Sequence, residues 1–294
     1  MPLKNLIFVQ IVSYRDPELI PTVLNLVETA KYPENLRINV AWQHDEYERI
    51  SPIQNLINFI DIPYVDSDGV CWARSLIQKK YNGEKYALQL DSHHRFIKHW
   101  DIELIDMYKI CKKMGSKNPI LTTYLPDFNS NSKKFTNEIW GIELNRFLED
   151  GPLFFTPCQL QKSKYPIQAK FFSGHFAFSS GKFCQDVLYD PNYYFYGEET
   201  NMSARSFTHG YDLFHPNKIV AWHQYSREFR PTHWRDNRNW SVRDRFSTKY
   251  HRQLFVMEKQ TIKFDDKYTF GNKRSLMEFE NYIGVSFKNK EIKQ

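Results

Sequence analysis

A strand ends in a cluster of polar side chains within the stretch Lys85-Tyr-Ala-Leu-Gln-Leu-Asp-Ser-His-His-Arg-Phe96. Its apolar side chains alternate with the period of a β-strand, and the alternation stops at an acid, a hydroxyl and two imidazoles. In open α/β sheets, ligands bind beyond the carboxyl ends of the strands. Asp91 and His93 are two residues apart, so in an extended turn an oxygen and a nitrogen can face one divalent cation. We interpret this stretch as a metal site for a diphosphate; an ordinary polar loop after a strand is the alternative.

The composition is that of a globular protein. The chain has 294 residues, of which 41% are hydrophobic and 25% are charged, enough for one large domain or two small ones. The aromatic share is 16%, and aromatic rings line sugar-binding clefts as well as cores. The net charge of +6 is not concentrated until the segment 227–252, so nucleic acid is not expected as a partner. A diphosphate or an anionic surface is compatible with this charge.

The cysteines and the apolar runs bear on the location of the protein. Four widely spaced cysteines without a CxxC pair argue against a zinc knuckle or a dense disulfide framework and favour free thiols in a reducing compartment. The first ten residues have too short an apolar run for a signal peptide, and no window approaches the roughly 20 apolar residues of a spanning helix. We therefore predict a cytoplasmic protein without a transmembrane segment. Peripheral membrane contact through the basic carboxyl-terminal surface is left open.

Strands and helices alternate in the first part of the chain. Continuous or alternating apolar runs predict strands at 6–12, 36–42, 62–65, 86–90 and 120–123. Apolar residues at helical spacing predict helices at 17–32, 70–81 and 99–113. This order of elements predicts a doubly wound, nucleotide-binding half built on a parallel sheet.

The second part of the chain is less regular. Residues 124–169 are mixed, with a loop at 129–134 and a strand at 140–147. Long irregular insertions in α/β enzymes carry acceptor or lid functions, or are structural excursions. Beyond them we predict strands at 171–180, 211–214 and 218–225, and helices at 196–209 and 275–282.

Polar sets follow several of the predicted strands. They are Ser13-Tyr14-Arg15, the segment from Asp68 to Arg74, Asp91-Ser92-His93, Glu198-Glu199, and His223 at the end of the last strand. Because the carboxyl ends of parallel strands lie at one edge of a sheet, we expect these sets to converge on a single site.

Each polar residue also has a simpler interpretation. Arg74 pairs with Asp91 or with a phosphate, or it is an exposed helical residue. His223 completes a metal shell, or it packs in the core. Glu198 and Glu199 orient an acceptor or take a proton from its hydroxyl, or they stabilise the positive end of a helix dipole.

Two further features allow more than one interpretation. Gly174 interrupts an aromatic strand where a ligand or another backbone can approach, and His175 beside it contacts a sugar or is a core histidine. The basic aromatic segment 227–252 clamps a diphosphate, binds an acidic partner, or is a solvated face. The sequence has no GxxxxGK[ST], no GxGxxG after a strand, no GxSxG and no HExxH. P-loop, dinucleotide-redox, serine-hydrolase and zincin functions are therefore not expected.

The motifs form a recognisable set in chain order. They are IVSYRDPE at 11–18, GVCWAR at 69–74, LQLDSH at 88–93, FSGHF at 172–176, YGEE at 196–199, GYDLFHP at 210–216, VAWH at 220–223 and FENYIGVSF at 279–287. Together they resemble the Skp1 N-acetylglucosaminyltransferase-like family over most of the chain. The DxH form, the glycine-containing strand, the Gly-Glu-Glu turn and the late histidine are also similar to the polypeptide N-acetylgalactosaminyltransferases.

The resemblance implies a GT-A fold: an α/β protein with a Rossmann-type nucleotide-binding half, a mixed, mostly parallel sheet flanked by helices, an acceptor-side insertion and a C-terminal extension. It also implies a UDP-sugar donor, UDP-GlcNAc first, with Mn²⁺ or Mg²⁺, and retention at the anomeric carbon. By position, the metal ligands would be Asp91, His93 and His223, and the uridine would be bordered by Ser13, Tyr14 and Arg15. The remaining donor-binding residues would be Asp68, Arg74, Ser92, Gly174 and His175, with Glu198 and Glu199 facing donor or acceptor.

We therefore predict a metal-dependent glycosyltransferase that transfers a hexose or N-acetylhexosamine to a hydroxyl of a protein or glycan. A UDP-sugar-binding module without turnover and an interaction protein for nucleic acid or an acidic partner are the alternatives. The predicted catalytic domain is 1–249, with a nucleotide-binding half at 1–123 and an acceptor and donor-sugar half at 124–225. A basic aromatic extension, 226–294, is predicted to pack on it.

Overall fold

The computed structural model describes residues 5–130, 132, 134–228 and 230–293. The predicted loop 129–134, the basic segment and the outer limits of the predicted domains fall partly outside the described residues. In chain order the strands are β1 (Ile7–Tyr14), β2 (Leu36–His44), β3 (Ile57–Pro63), β4 (Tyr86–Asp91), β5 (His94–Phe96), β6 (Pro119–Thr122), β7 (Phe128–Asn129), β8 (Lys134–Phe135), β9 (Trp140–Phe147), β10 (Leu153–Gln159), β11 (Ile167–Ala169), β12 (Phe176–Ser180), β13 (Asp212–His215), β14 (Ala221–His223), β15 (Val285–Ser286) and β16 (Glu291–Ile292). The helices are α1 (Leu19–Thr29), α2 (Val70–Gln78), α3 (Trp100–Lys113), α4 (Phe183–Asp186), α5 (Glu198–Thr208), α6 (His233–Asp236), α7 (Trp240–Leu254) and α8 (Leu276–Ile283).

Eight strands form the central sheet, in the order β11-β13-β6-β12-β4-β1-β2-β3. Six of them run in one direction, while β12 lies antiparallel between β4 and β6 and β11 lies antiparallel at the edge. The predicted α/β fold class with a mixed, mostly parallel sheet is confirmed. Within the described part of the chain, four smaller sheets of two strands each pair β9 with β10, β5 with β14, β7 with β8 and β15 with β16.

Helices cover both faces of the sheet because the central strands are apolar on both sides. In β1, Ile7, Val9 and Ile11 pack in one cluster with α1 and α3, whereas Phe8 and Val12 pack in another with α2. A third cluster joins α5, α7 and α8 to the later strands. Among the described residues, no helix is both long and apolar enough to cross a membrane.

Three predicted strands differ from those observed. The third strand is Ile57–Pro63 rather than 62–65, because it lies at the sheet edge and its partly exposed side chains hide the apolar pattern. The predicted strand 171–180 is a strand only over Phe176–Ser180. The predicted strand 218–225 is reduced to Ala221–His223, and it pairs with β5 instead of joining the central sheet.

Candidate active site

Three side chains with metal-binding atoms lie together at the carboxyl end of β4. Asp91 is the last residue of the strand, and its Oδ2 lies 3.7 Å from Nε2 of His93 and 3.6 Å from Nε2 of His223. One potential ligand atom of each residue lies within 4.8 Å of the others. These separations are too long for hydrogen bonds, but they fit ligand atoms around one ion.

Pairing of two short strands brings His223 to this place. β14 runs antiparallel to β5, so that His223 lies opposite His94. The Gln224 amide N–H donates to the carbonyl oxygen of His93 at 3.0 Å, and the His223 amide N–H donates to that of Pro126 at 3.0 Å. The cluster therefore takes Asp91 from the central sheet, His93 from the turn that follows it, and His223 from a small neighbouring sheet.

The two imidazoles present free nitrogen atoms. Nε2 of His93 and both ring nitrogens of His223 are buried and have no hydrogen-bond partner among the described residues. Burial lowers the pKa of His223 well below its ordinary value, so this ring is neutral at pH 7. Burial alone would raise the pKa of Asp91, but the Arg74 guanidinium, which donates to its Oδ1 at 2.7 Å, holds that pKa well below its usual range. A carboxylate with two imidazoles is a donor set that suits Mn²⁺ and similar divalent ions.

Asp16 is a site residue that the sequence analysis missed. Its side chain is buried, and its Oδ2 accepts hydrogen bonds from Nδ1 of His93 at 2.7 Å and from Oγ of Ser92 at 2.6 Å. Nη1 of Arg230 lies 3.6 Å from the same oxygen. Burial alone would raise the pKa of Asp16, but His93 and Arg230 lower it to about 2. The signal in the sequence was its place directly after Arg15, in the polar turn that ends β1.

Arg74 is buried on α2, where it holds two carboxylates. Its Nη2 donates to Oδ1 of Asp91 at 2.7 Å, and its Nη1 pairs with Glu198. Oε1 of Glu198 also accepts a hydrogen bond from the Tyr189 hydroxyl at 2.9 Å. Of the three interpretations of Arg74, the structure therefore shows the pairing with Asp91, and Glu198 serves as its second anionic partner.

Glu199 lies at the start of α5 with both carboxylate oxygens engaged. The Tyr124 hydroxyl donates to Oε2 at 2.6 Å, and the Gly174 amide N–H donates to Oε1 at 2.9 Å. Burial raises the pKa of Glu199 to about 7, although both hydrogen bonds oppose the shift. This carboxyl group therefore changes its charge near neutral pH.

Gly174 and His175 reach the site because β12, which follows them, is antiparallel to its neighbours β4 and β6. An antiparallel strand begins at the edge where β4 ends, so the residues before β12 lie beside Asp91. A Cβ at Gly174 would meet Oε1 of Glu198 at 3.1 Å, which leaves little room for a larger residue. The His175 ring stacks on the His223 ring with centroids 4.2 Å apart, and its Nε2 accepts the Leu125 amide N–H at 3.2 Å.

Two solvent-open clefts meet at Asp91. The first has about 760 Å³ of free space and is lined by Tyr14, His93 and the segment 230–234. The second has about 1200 Å³ and is lined by Glu199, the Gly174–His175 turn and part of β10. Asp91 and Arg227 line both. Because both clefts border Asp91, a ligand in two parts can lie across this residue.

Three of the predicted donor-binding residues lie beside the first cleft. Ser13 is buried in β1. Arg15 pairs with Asp236 at 2.9 Å, which ties β1 to α6. Asp68 pairs with Arg243 and lines a neighbouring groove. The structure thus brings Tyr14 and Ser92 to the cleft wall and places these three residues behind or next to it.

The basic aromatic segment divides into two parts. Arg227, which is itself exposed, and the half-buried Arg230 line the first cleft, whereas the exposed Arg235, Arg238 and Arg245 do not line it. His233, which the sequence analysis did not single out, also lines the first cleft. Its ring bridges the Tyr194 hydroxyl at 2.7 Å and the carbonyl oxygen of Ser67 at 2.9 Å.

A model of the family described as Glycosyltransferase (GlcNAc) matches residues 6–56 and 48–289 of this chain. The second match alone spans more than half of the chain. No curated protein matches the chain.

Several solved structures share the fold. The crystal structure of GalNAc-T7 with UDP, GalNAc and Mn²⁺ superposes with a TM-score of 0.64 and 17% sequence identity, over 98% of this chain and 57% of that chain. Residues 1–349 of S. aureus TarS superpose with a TM-score of 0.54 and 10% identity, over 97% of this chain and 71% of that chain. The same TarS fragment in complex with UDP-GlcNAc gives a TM-score of 0.50 and 11% identity, over 89% and 69%. This chain thus spans 57% of the length of GalNAc-T7, and at these identities the likeness shows the GT-A fold alone.

Proposed function

The chain belongs to the GlcNAc glycosyltransferase family, and we propose that it transfers a hexose or N-acetylhexosamine, GlcNAc first, from a UDP-sugar to a hydroxyl of a protein or glycan. We propose retention at the anomeric carbon. The observation that carries the proposal is the cluster of Asp91, His93 and His223 at the junction of the two clefts. The ligands of GalNAc-T7 and TarS support a UDP-sugar as the donor.

The three clustered side chains would hold Mn²⁺ or Mg²⁺. When bound, the cation would supply Lewis-acid neutralisation of the charge on the departing UDP. Arg74 keeps the Asp91 carboxylate ionised and oriented through its hydrogen bond of 2.7 Å. Arg227 lines both clefts and would bring a second positive charge to the diphosphate.

The nucleoside would occupy the first cleft and the donor sugar the second. Tyr14 stands on the wall of the first cleft with its hydroxyl held by Asp236 at 3.0 Å, and its ring contacts the His233 ring edge-on at 5.2 Å. This rigid aromatic corner suits a flat base. In the second cleft the Gly174–His175 turn would border the sugar ring.

Of the two predicted catalytic glutamates, Glu199 is the better candidate to face the substrate. Glu198 is committed to Arg74 and Tyr189. Glu199 is held by neutral donors, Tyr124 and the Gly174 amide, and its pKa of about 7 suits proton exchange with a hydroxyl.

The acceptor would enter the second cleft from the side of the β9–β10 hairpin. Phe154 on β10 and Tyr196 before α5 line this cleft, and Tyr196 is 51% exposed. Aromatic faces of this kind stack on sugar rings and on apolar parts of peptides.

We propose two halves, 1–123 and 124–225, with 226–294 packed on them. We also propose a cytoplasmic location, because no disulfide forms among the four cysteines, all of which lie within the described residues.

The test is release of UDP from a panel of UDP-sugars by the purified full chain, first with Mn²⁺ and then with EDTA. We expect one donor to be hydrolysed slowly, chelation to abolish the release, and Asp91→Asn to lower it at least 100-fold. Asp106→Asn, at an exposed residue of α3, is the matched control and should retain the wild-type rate. Full activity of Asp91→Asn, or of the chelated enzyme, would remove the metal assignment.

A binding module without turnover is the competing function. It predicts that UDP and Mn²⁺ raise the melting temperature while no donor is turned over, even with protein and glycan acceptors added. The intact set of Asp91, His93 and His223 favours the enzyme. If UDP with Mn²⁺ leaves the melting temperature unchanged, the nucleotide site itself is excluded.

A further inference from the structure

A buried carboxylate connects a proposed metal ligand to Glu18, the residue before α1. Oδ1 of Asp16 accepts the Glu18 amide N–H at 2.9 Å, and Oδ2 accepts Nδ1 of His93 at 2.7 Å and Oγ of Ser92 at 2.6 Å. Asp16 is only 4% exposed, so this arrangement is enclosed by protein. The Arg230 guanidinium, 3.6 Å away, compensates the buried charge.

The hydrogen bond to Asp16 dictates which nitrogen of His93 carries the proton. An ionised carboxylate only accepts hydrogen bonds, so Nδ1 of His93 must be the donor. When the imidazole is neutral, its Nε2 is therefore bare. This atom is buried, has no hydrogen-bond partner among the described residues and faces Oδ2 of Asp91 at 3.7 Å. In many metal sites, a carboxylate outside the coordination shell accepts the N–H of a metal-binding imidazole and so orients it. Asp16, His93 and a cation at Nε2 would form this arrangement.

We propose that Asp16 is a positioning residue that holds His93 in the Nδ1–H tautomer and turns its bare Nε2 toward Asp91 and His223. This inference rests on the proposed function, because it takes a divalent cation as the species that Nε2 binds. The role lies in orientation, because Asp16 reaches the site through His93.

The two oxygens of Asp16 accept different hydrogen bonds, so Asp16→Asn can remove the one from His93 and keep the one from Glu18. Asparagine keeps the volume and one acceptor oxygen for the Glu18 amide, but its NH₂ group cannot accept the Nδ1 proton of His93. Asp101→Asn is the matched control. Asp101 is also buried, at 2% exposure, and accepts the backbone N–H groups of Lys31 and Tyr32, away from the site.

The first experiment measures Mn²⁺ affinity by the electron paramagnetic resonance signal of the free ion, with the full chain and with UDP present. We expect Asp16→Asn to bind Mn²⁺ about 10- to 100-fold more weakly, since loss of such an outer partner typically has this effect. Asp101→Asn should lose stability but keep the wild-type affinity. Wild-type affinity in Asp16→Asn, or equal losses in both variants, would overturn the positioning role.

The second experiment needs no metal. Long-range ¹H–¹⁵N correlation spectra of metal-free protein report the tautomer of each histidine, and the His93 signals are assigned by their loss in His93→Gln. We expect the Nδ1–H form in the wild type and a changed form or a tautomer mixture in Asp16→Asn. An unchanged His93 spectrum contradicts the inference. A changed spectrum in a protein that binds no Mn²⁺ would uphold the orientation by Asp16 and reject the proposed metal function instead.

Discussion

Arg74 carries a positive charge inside the protein and neutralises two carboxylates at once. Its side chain is 3% exposed and pairs with Asp91 and Glu198. Removing one partner of a buried ion pair typically costs 3–5 kcal/mol, because the remaining charge is left without compensation. We expect Arg74→Met to lower the free energy of unfolding by about 4 kcal/mol, measured by urea denaturation at pH 7.5 in EDTA.

Two comparisons test this explanation. Arg49→Met, at an exposed arginine, should change the free energy of unfolding by less than about 0.5 kcal/mol. Adding Glu198→Gln to Arg74→Met should recover part of the loss, since one of the uncompensated charges disappears. If the double variant is less stable than Arg74→Met, the charge explanation is wrong.

Glu199 should reduce stability at alkaline pH. Its folded-state pKa is about 7, above the ordinary 4.5, so between these values the folded protein binds more protons than the unfolded chain and stability falls as pH rises. We expect Glu199→Gln to be more stable than the wild type by up to about 3 kcal/mol at pH 8 and by little at pH 5. Urea denaturation at both pH values measures the difference, and a pH-independent difference would contradict the shifted pKa.

Single residues were predictable where a strand end exposed them. Asp91 and His93 follow an alternating apolar run, which placed these two together, whereas His223 reaches them through the pairing of β14 with β5 and not, as predicted, through the central sheet. The buried partners were not predictable in the same way. Asp16 lies 77 positions from His93 in the chain, and their contact depends on the register of β1 against β4.

The last helix, α8, is stabilised by a capping box. The Ser275 hydroxyl accepts the Glu278 amide N–H, and the Glu278 carboxylate accepts the Ser275 amide N–H at 2.7 Å. Because the helix buries Phe279 and Ile283 in the core, fraying of its first turn loosens tertiary packing. We expect Ser275→Ala to lower the free energy of unfolding by about 1 kcal/mol and Ser275→Thr to retain it, as measured by urea denaturation. Equal stabilities of the two variants would show that the cap does not contribute.

At the scale of elements, the sequence predicted helices better than strands. Helical spacing marked α2, α3 and α8 to within a few residues, since each buries one face. The direction of β12 was not encoded in any local pattern, because a strand buried on both faces has the same composition in either direction. That direction is decided by its partners β4 and β6.

The folded protein holds two buried histidines, His215 and His251, in the neutral form. Nδ1 of His215 donates to the Thr122 carbonyl oxygen at 2.8 Å and its Nε2 accepts the Ile142 amide N–H at 3.3 Å, so a second ring proton would meet a donor. Burial lowers the pKa of His215 to about 4 and that of His251 to about 3. The unfolded chain, with a histidine pKa near 6.5, therefore binds more protons below that pH, and stability falls on acidification.

We expect each of these histidines to lower the free energy of unfolding by about 2 kcal/mol at pH 5 relative to pH 7.5. Urea denaturation of the EDTA-treated protein across this range measures the slope. His215→Gln and His251→Gln should each reduce the difference between the two pH values by about that amount. Slopes identical to that of the wild type would show that other groups cause the acid sensitivity.

The overall architecture followed from the sequence because repeated alternation of strands and helices admits few arrangements. The small sheets did not follow from it. β5 and β14 have three residues each, and the paired residues Arg95 and Trp222 lie 127 positions apart in the chain, so only the packed fold defines their pairing. The position of His223, one of the three residues of the proposed metal site, depends on that pairing.

The β9–β10 hairpin has an anchored face and an open one. Ile142, Leu153 and Phe155 are buried in the core, while Arg146 lies over the outward ring of Phe154, 4.4 Å from its centroid. Substitutions of exposed side chains on the open face should therefore change the free energy of unfolding little, whereas Gly151 in the turn is constrained by its φ of +113° and by Met257, whose Sδ a Cβ would meet at 2.9 Å. On the proposed function, such substitutions can change which acceptor is used while Asp91, His93 and His223 stay in place at the far side of the cleft.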